Sequence, residues 1–389
     1  MLGGAVSWHC SVEPTFFVTV DDGLEGKVVG ANRPLRQDRR IEHPAPTSKY
    51  QEMRKWWRTQ LAGPEICFLA TSKSGLGHLR RTATIARAIR GAAPDRILRL
   101  VSNAQPDGLE PEDLAVFASI YVGERGCMIE AIPRRINVTL VLDTITVPGI
   151  ESMAAPLALV LREAPSAALC RFRLAGGRPW DQVIVANPRD HWMPDAGSFS
   201  ASAVTPVGWI YRLTGARRAK RAAVPTVLVA TGGGGTAETA RAVYSAIDDL
   251  LNRVSQTTAQ PFRVVQAVGP RGQNFGLVNR VDRVVDPGGR LNDLFRDADV
   301  VISTAGYNSV LELATTDTPT LLIPIPRSID NQVARAKAWA PQLGAWYEAA
   351  APDLSADWLS RQIAEPRRRP SVDLGPSGEH LAAAAILGL

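Results

Sequence analysis

Short apolar runs alternate with segments of helical periodicity along most of the chain. Ile66 to Ala70, Ile97 to Val101, Asn137 to Leu142, Gln182 to Ala186 and Val207 to Tyr211 each read as a buried strand. Leu79 to Ile89 carries apolar residues at helical spacing between the first two runs. The pattern restarts at Val227 to Ala230, followed by a helix through Ala240, Val243 and Ile247. Leu291, Leu294 and Phe295 mark an amphipathic helix that leads into Val300 to Ile302, and a helix opens at Asn308-Ser309 with Glu312 in its first turn. Thr320 to Ile325 is a further strand, closed by Pro324 and Pro326, and the polar turn Asp330-Asn331-Gln332 opens another helix. Strand–helix alternation in both halves predicts an α/β fold of two doubly wound sheets.

The division this predicts is 1–62 as an N-terminal extension, 63–213 and 224–365 as two Rossmann-like domains, 214–223 as a basic linker, and 366–389 as a tail. The extension holds a candidate strand pair, Phe16 to Val20 and Lys27 to Val29, and a candidate helix near Tyr50 to Leu61. From Asp357 to Leu389 the chain reads as two helices.

Three strand–turn–helix junctions carry small residues. Gly232, Gly233, Gly234 and Gly235 follow Thr231 and let backbone approach a ligand with no Cβ in the way; Thr236 can cap the next helix. Ser303-Thr304-Ala305-Gly306 closes the strand before Asn308 and Ser309. Ser72 to His78 contains Gly75 and Gly77. Free N–H groups at such helix starts favour phosphate. A packing turn is the plain alternative for one such glycine run. Two in one half, the second followed by a carboxylate, favour a nucleotide site.

His78, at the third turn, has the chemistry of a general base near neutral pH, or it is a helix cap without chemistry. Asp143 lies at the carboxyl end of a predicted strand, where ligands sit in such sheets. It orients His78, binds an acceptor, or caps a turn. Arg80 and Arg81 read either as cations for a phosphate or acidic acceptor, or as a solvated face. His9, His43, His191 and His380 have no neighbours at ligand spacing.

TGGGGT at 231–236, DADVVISTAGYNSVLEL at 297–313 and PIPRSIDNQVARA at 324–336 together resemble the C-terminal donor domain of the family 28 glycosyltransferases of the GT-B fold. GLGHLRR at 75–81 is similar to the turn of bacterial predicted glycosyltransferases and to the GHxxR turn of sugar-nucleotide hydrolases of that fold. The resemblance implies two Rossmann-like domains facing a cleft, with the last helix crossing back to the N-domain. It implies a nucleotide-sugar donor, most plausibly a UDP-sugar such as a UDP-N-acetylhexosamine. Thr231, Gly232 to Gly235, Thr236, Ser303, Thr304, Gly306, Asn308 and Ser309, with Gly75 and Gly77 across the cleft, would hold the diphosphate. Glu312 would accept the ribose hydroxyls, Val285 would pass the base, and Asn331 and Gln332 would read the sugar. Thr304 replaces the family's arginine or serine, and Arg335 its asparagine, which bears on the identity of the sugar.

The activity implied is an inverting, metal-independent transfer with His78 as base and no cofactor beyond the donor. The absence of an Asp-x-Asp pair at the carboxyl end of a strand agrees with it. The acceptor class is open: saccharide, lipid-linked or secondary metabolite. A hydrolase using His78 to activate water, or a non-catalytic nucleotide-sugar binder, shares the donor motifs. The Gly-Thr-Arg-Pro-Glu turn of the related 2-epimerases is absent at 71–78.

Composition narrows the partners. The chain has 389 residues, 45% hydrophobic and 21% charged, as in globular two-domain proteins. The formal net charge of +6 is gathered at Arg36 to Arg40, Arg217 to Arg221 and Arg367 to Arg369. No interleaved aromatics accompany it, so nucleic acid is not expected. Cys10, Cys67, Cys127 and Cys170 are too far apart for a zinc site or disulfide framework and read as reduced thiols. No apolar run reaches spanning length and the start lacks a signal pattern, so the expectation is a cytoplasmic protein with at most peripheral contact with the inner face of a membrane.

Overall fold

The computed structural model describes residues 16–17, 65–71, 76–133, 137–195, 197–198, 200–213, 223–232, 237–269, 272, 276–327 and 329–389. Lys27 to Val29 and the helix near Tyr50 to Leu61 lie outside these residues.

Two sheets organise the chain. The N-terminal sheet contains β1 (Phe16–Phe17), β2 (Glu65–Ala70), β3 (Ile97–Ser102), β4 (Ser119–Val122), β5 (Val138–Asp143), β6 (Leu157–Leu161), β7 (Gln182–Val185) and β8 (Val204–Pro206). Their order is β1-β4-β3-β2-β5-β6-β7-β8, parallel apart from the antiparallel β1/β4 pair. The C-terminal sheet contains β9 (Thr226–Ala230), β10 (Arg263–Ala267), β11 (Arg283–Val285), β12 (Val300–Thr304), β13 (Thr320–Ile323) and β14 (Gly344–Trp346). Its order, β11-β10-β9-β12-β13-β14, is fully parallel and is the Rossmann order.

Helices cover both faces of each sheet, so central strands are apolar on both sides. In β2, Ile66, Phe68 and Ala70 enter one core while Cys67 and Leu69 enter another. In β9, Leu228 and Ala230 share the first of these cores, and Val227 and Val229 turn to a third. The core shared by both domains continues through Trp209, Tyr307 and Trp339.

The helices that matter for the cleft are α1 (Gly77–Ala92), α2 (Ala237–Thr257), α3 (Leu291–Asp297), α4 (Tyr307–Ala314), α5 (Gln332–Leu343), α6 (Pro352–Ala364) and α7 (Glu379–Leu387). The chain returns from the C-domain after α6, and α7 packs along α1 of the N-domain. This crossing is tight. Gly378 N donates to Trp209 O at 2.7 Å, and a Cβ at Gly378 would lie 2.2 Å from Val207 O. The whole is the GT-B arrangement, two Rossmann-like domains facing a cleft.

Three boundaries differ from the sequence reading. The last strand of the N-domain is Val204–Pro206, not Val207 to Tyr211. Residues 207–211 leave the sheet to place Trp209 and Ile210 in the core shared by both domains, where α7 also docks. β13 ends at Ile323, before Pro324 can interrupt its ladder. Because α4 begins at Tyr307, Glu312 lies in its second turn instead of its first. β6 was not read at all, although Leu157 to Leu161 is apolar and bounded by Pro156 and Pro165. No helix among the described residues is long and apolar enough to cross a membrane.

Candidate functional site

Each sheet has a switch point, where connections leave in opposite directions and strand ends open a crevice. In the N-domain this lies between β2 and β5, with Ala70 opposite Asp143. The next residues, Thr71 and Thr144, join through their hydroxyls. Asp143 is buried, and three groups converge on it. Arg81 Nε donates to Oδ2 at 2.8 Å, Arg81 Nη2 bonds Oδ1, and His78 Nδ1 lies 2.7 Å from Oδ1. Burial alone would raise the Asp143 carboxyl; Arg81 and the His78 hydrogen bond outweigh it and hold it below its ordinary value.

An ionised carboxylate only accepts, so the proton between His78 and Asp143 sits on Nδ1. That fixes the tautomer and leaves the Nε2 lone pair free. Among the described residues Nε2 has no hydrogen-bond partner, and the side chain is 29% exposed beside a carboxylate only 2% exposed. A buried acid, a buried cation and a half-exposed imidazole thus form one unit. Arg81 is no solvated residue, and it cannot reach a phosphate while it grips Asp143.

In the C-domain the switch point lies between β9 and β12, with Ala230 opposite Ser303. Ser303 Oγ donates to Ala230 O at 3.0 Å and Thr304 Oγ1 to Thr231 O at 3.3 Å, so both hydroxyls tie the two turns together. Thr231 Oγ1 lies 3.2 Å from Tyr244 OH. Gly232 has φ +64°, the left-handed region that glycine enters freely. Gly75, Gly233, Gly234, Gly235 and Thr236 lie outside the described residues. Gly306 precedes α4 with an ordinary φ of −65°. Ser309 is half-buried in the first turn of α4, and Val285 is half-buried at the end of the edge strand β11.

The two turns meet. Asn308 Nδ2 donates to Gly77 O at 3.0 Å, so the start of α4 abuts the start of α1. One turn further along both helices, Arg80 Nη1 lies 3.1 Å from Glu312 Oε1. Arg80 too is therefore a paired residue of the cleft rather than a solvated one.

The two residues that the resemblance gives to the sugar both make hydrogen bonds within the turn that opens α5. Gln332 is buried; its Oε1 accepts from Ile325 N at 3.1 Å and its Nε2 donates to Asp330 Oδ2 at 3.2 Å. Asn331 Oδ1 caps α5 through Ala334 N at 3.1 Å, which leaves its amide N–H groups for a ligand.

A second charged cluster crosses between the domains, and sequence reasoning missed most of it. Asp330 Oδ1 accepts from Arg162 Nη1 at 2.9 Å and from Arg335 Nη2 at 2.7 Å. Arg335 also bonds Glu163 through Nε and donates from Nη1 to Ala305 O at 2.8 Å. Asn187 Nδ2 completes Glu163 at 3.0 Å. Tyr307 OH donates to Ala186 O, and the guanidinium carbons of Arg81, Arg162 and Arg335 stand 5.5 to 5.9 Å from its ring centre. Burial, with Glu163 adding, pushes the Tyr307 phenol up and keeps it neutral. Arg162 and Glu163 directly follow the β6 run, at the same end of the sheet as Asp143; a charged pair closing an apolar run was the available signal.

Residues 226–374 match the Glycosyltransferase family 28 C-terminal domain. The match takes in the whole C-terminal sheet, from β9 to β14. A UDP-N-acetylglucosamine--N-acetylmuramyl-(pentapeptide) pyrophosphoryl-undecaprenol N-acetylglucosamine transferase from Prochlorococcus marinus is 32% identical over 122 residues, 31% of this chain and 32% of its own length. The enzyme of the same name from Granulibacter bethesdensis is 39% identical over 72 residues, 18% of each chain. The chain therefore matches a third or less of these relatives. Among solved structures, Acinetobacter baumannii MurG aligns at 14% identity and TM-score 0.48, covering 84% of this chain and all of that one. A spinosyn rhamnosyltransferase aligns at 15% and 0.47, covering 82% and 94%. The matched stretch contains every described C-domain residue named in this section, from Ala230 to Arg335.

Proposed function

We propose that this protein transfers a sugar from a nucleotide-diphosphate donor, most plausibly a UDP-sugar, to an acceptor hydroxyl or amine. The observation that carries the reading is His78 Nδ1 held by the ionised Asp143 at 2.7 Å, on a turn that touches the family 28 domain through Asn308. Nε2 of His78 takes the acceptor proton as the acceptor oxygen or nitrogen attacks the anomeric carbon. The bond to the donor diphosphate breaks, and its charge is stabilised by N–H groups at the starts of α2 and α4. Glu312 accepts the ribose hydroxyls and Asn331 meets the sugar. One in-line displacement inverts the anomeric centre and asks for no metal and no further cofactor. A cytoplasmic enzyme, at most peripheral to a membrane, suits such a donor.

The test is a calorimetric screen against UDP, dTDP, GDP and CDP and their common sugars, followed by release of free nucleotide with no acceptor present. Binding of one nucleotide with slow release is the expected result. Rapid release with free sugar appearing would make it a hydrolase with water at Nε2. No binding to any of them would overturn the donor-site reading.

A further inference from the structure

Arg80 occupies the place a nucleoside would need. Its Nη1 lies 3.1 and 3.4 Å from the two oxygens of Glu312, and its Nη2 donates to Gly289 O at 2.8 Å. The guanidinium thus bridges α4 and the 286–290 turn that follows β11, the two elements between which a base and ribose would pass. The N-domain closes down on that turn. Gly289 is buried, and a Cβ there would stand 3.1 Å from Gly108 O. Among the described residues, the pocket that Arg80, Asn308 and Glu312 share with Tyr211 and Arg212 is about 10 Å³, room for a water. Arg80 is also incompletely satisfied. Its Nε is buried with no hydrogen-bond partner among the described residues, on a side chain only 11% exposed. A buried guanidinium N–H without an acceptor is costly, so Arg80 has a donor still to offer.

Resting on the donor-site reading above, we propose that Arg80 is a donor-exchanged, diphosphate-binding residue. With the slot empty it neutralises the buried carboxylate of Glu312. When the ribose hydroxyls take Glu312, the guanidinium is released and turns to the nucleotide diphosphate beside Asn308, where its Nε and Nη groups find paired acceptor oxygens. Arg81 stays on Asp143, so the adjacent arginines divide the work. Arg81 fixes the base and Arg80 follows the donor. Exchange makes Arg80 oppose a nucleoside, which must break the Glu312 pair and offers no anion in return. It makes Arg80 favour a nucleoside diphosphate, which does offer one.

This opposition gives the test. Uridine and UDP, thymidine and dTDP, and guanosine and GDP are titrated by calorimetry into wild type and into Arg80→Gln and Arg80→Lys, with folding checked by thermal melting. For the best-bound pair, Arg80→Gln is expected to bind the nucleoside at least as tightly as wild type, by up to a few-fold tighter. It is expected to bind the diphosphate about ten-fold or more weaker. Arg80→Lys keeps a cation without the fork and should fall between. Loss of both affinities by the same factor, or no change in either, would overturn the exchange. Glu312→Ala separates the two readings. If it weakens nucleotide binding while Arg80→Gln changes nothing, the donor site stands and the Arg80 role falls. If wild type binds none of the six, both fall.

Discussion

At the N-domain switch point Ala70 of β2 faces Asp143 of β5; at the C-domain switch point Ala230 of β9 faces Ser303 of β12. The strand order on either side is the same, and in each case the next residue of both strands is a threonine, Thr71 and Thr144 or Thr231 and Thr304. The difference is one side chain. A carboxylate at the first point draws Arg81 and His78 around it and holds the imidazole by its Nδ1. A serine at the second donates to the Ala230 carbonyl of the neighbouring strand and brings no charge to the cleft. One topology thus yields a charged point and an uncharged one, according to whether the strand ends in an acid; in the function proposed above the first handles the proton and the second the diphosphate.

The largest effect expected is at the charged point. His78→Ala and Asp143→Asn should each lower turnover by about 10² to 10⁴-fold, the usual worth of a positioned general base. Donor affinity should stay at the wild-type value, as read by calorimetry beside single-turnover rates. Arg81→Met tests the same point through stability. It leaves Asp143 buried without its cation, and breaking a buried pair from one side costs about 3 to 5 kcal/mol, measurable by denaturant unfolding. Ser303→Ala, the corresponding perturbation of the uncharged point, removes one neutral hydrogen bond and should cost about 1 kcal/mol. Comparable losses for Arg81→Met and Ser303→Ala would erase the contrast.

Much of this contrast was legible in the sequence, and the reason is local. Buried parallel strands write themselves as apolar runs, and the residues that end them are adjacent in sequence to those runs. Asp143 after Asn137 to Leu142, and Ser303 after Val300 to Ile302, could be placed on strand ends before any coordinates. The His78–Asp143 contact was one of several readings open for that aspartate, because the distance between residues 65 apart depends on β2 and β5 being neighbours. What the sequence hid is everything that joins the domains. Arg80 with Glu312, Arg162 with Asp330 and Arg335 with Glu163 pair across 168 to 232 positions, and no periodicity records them. Gln332 was given to the sugar by the family resemblance alone; in the structure its buried amide serves Ile325 and Asp330. The 207–211 run was apolar for docking the shared core and α7, not for a strand, and apolarity alone does not distinguish the two.

The interdomain cluster has its own pH signature. Burial would raise Asp330, but Arg162 and Arg335 outweigh it and depress its carboxyl well below the ordinary 3.8. A depressed carboxylate contributes stability that is complete above its unfolded value and is lost as pH falls from there toward the folded one. The stability difference between wild type and Asp330→Asn should therefore be constant near neutrality. It should shrink below pH about 4, by at most about 1.4 kcal/mol per pH unit. Urea unfolding at several pH values checks it; a difference that grows on acidification would contradict the sign. Tyr307→Phe gives the smallest effect, about 1 kcal/mol for the hydroxyl that meets Ala186 O, with donor affinity unchanged.

The division of labour between the two points is tested most directly by calorimetric titration of the best-bound nucleoside diphosphate into wild type, Glu312→Ala and His78→Ala. The account predicts that Glu312→Ala loses most of the affinity and that His78→Ala retains it while losing turnover. Equal affinity in Glu312→Ala and wild type, or lost affinity in His78→Ala, would contradict it.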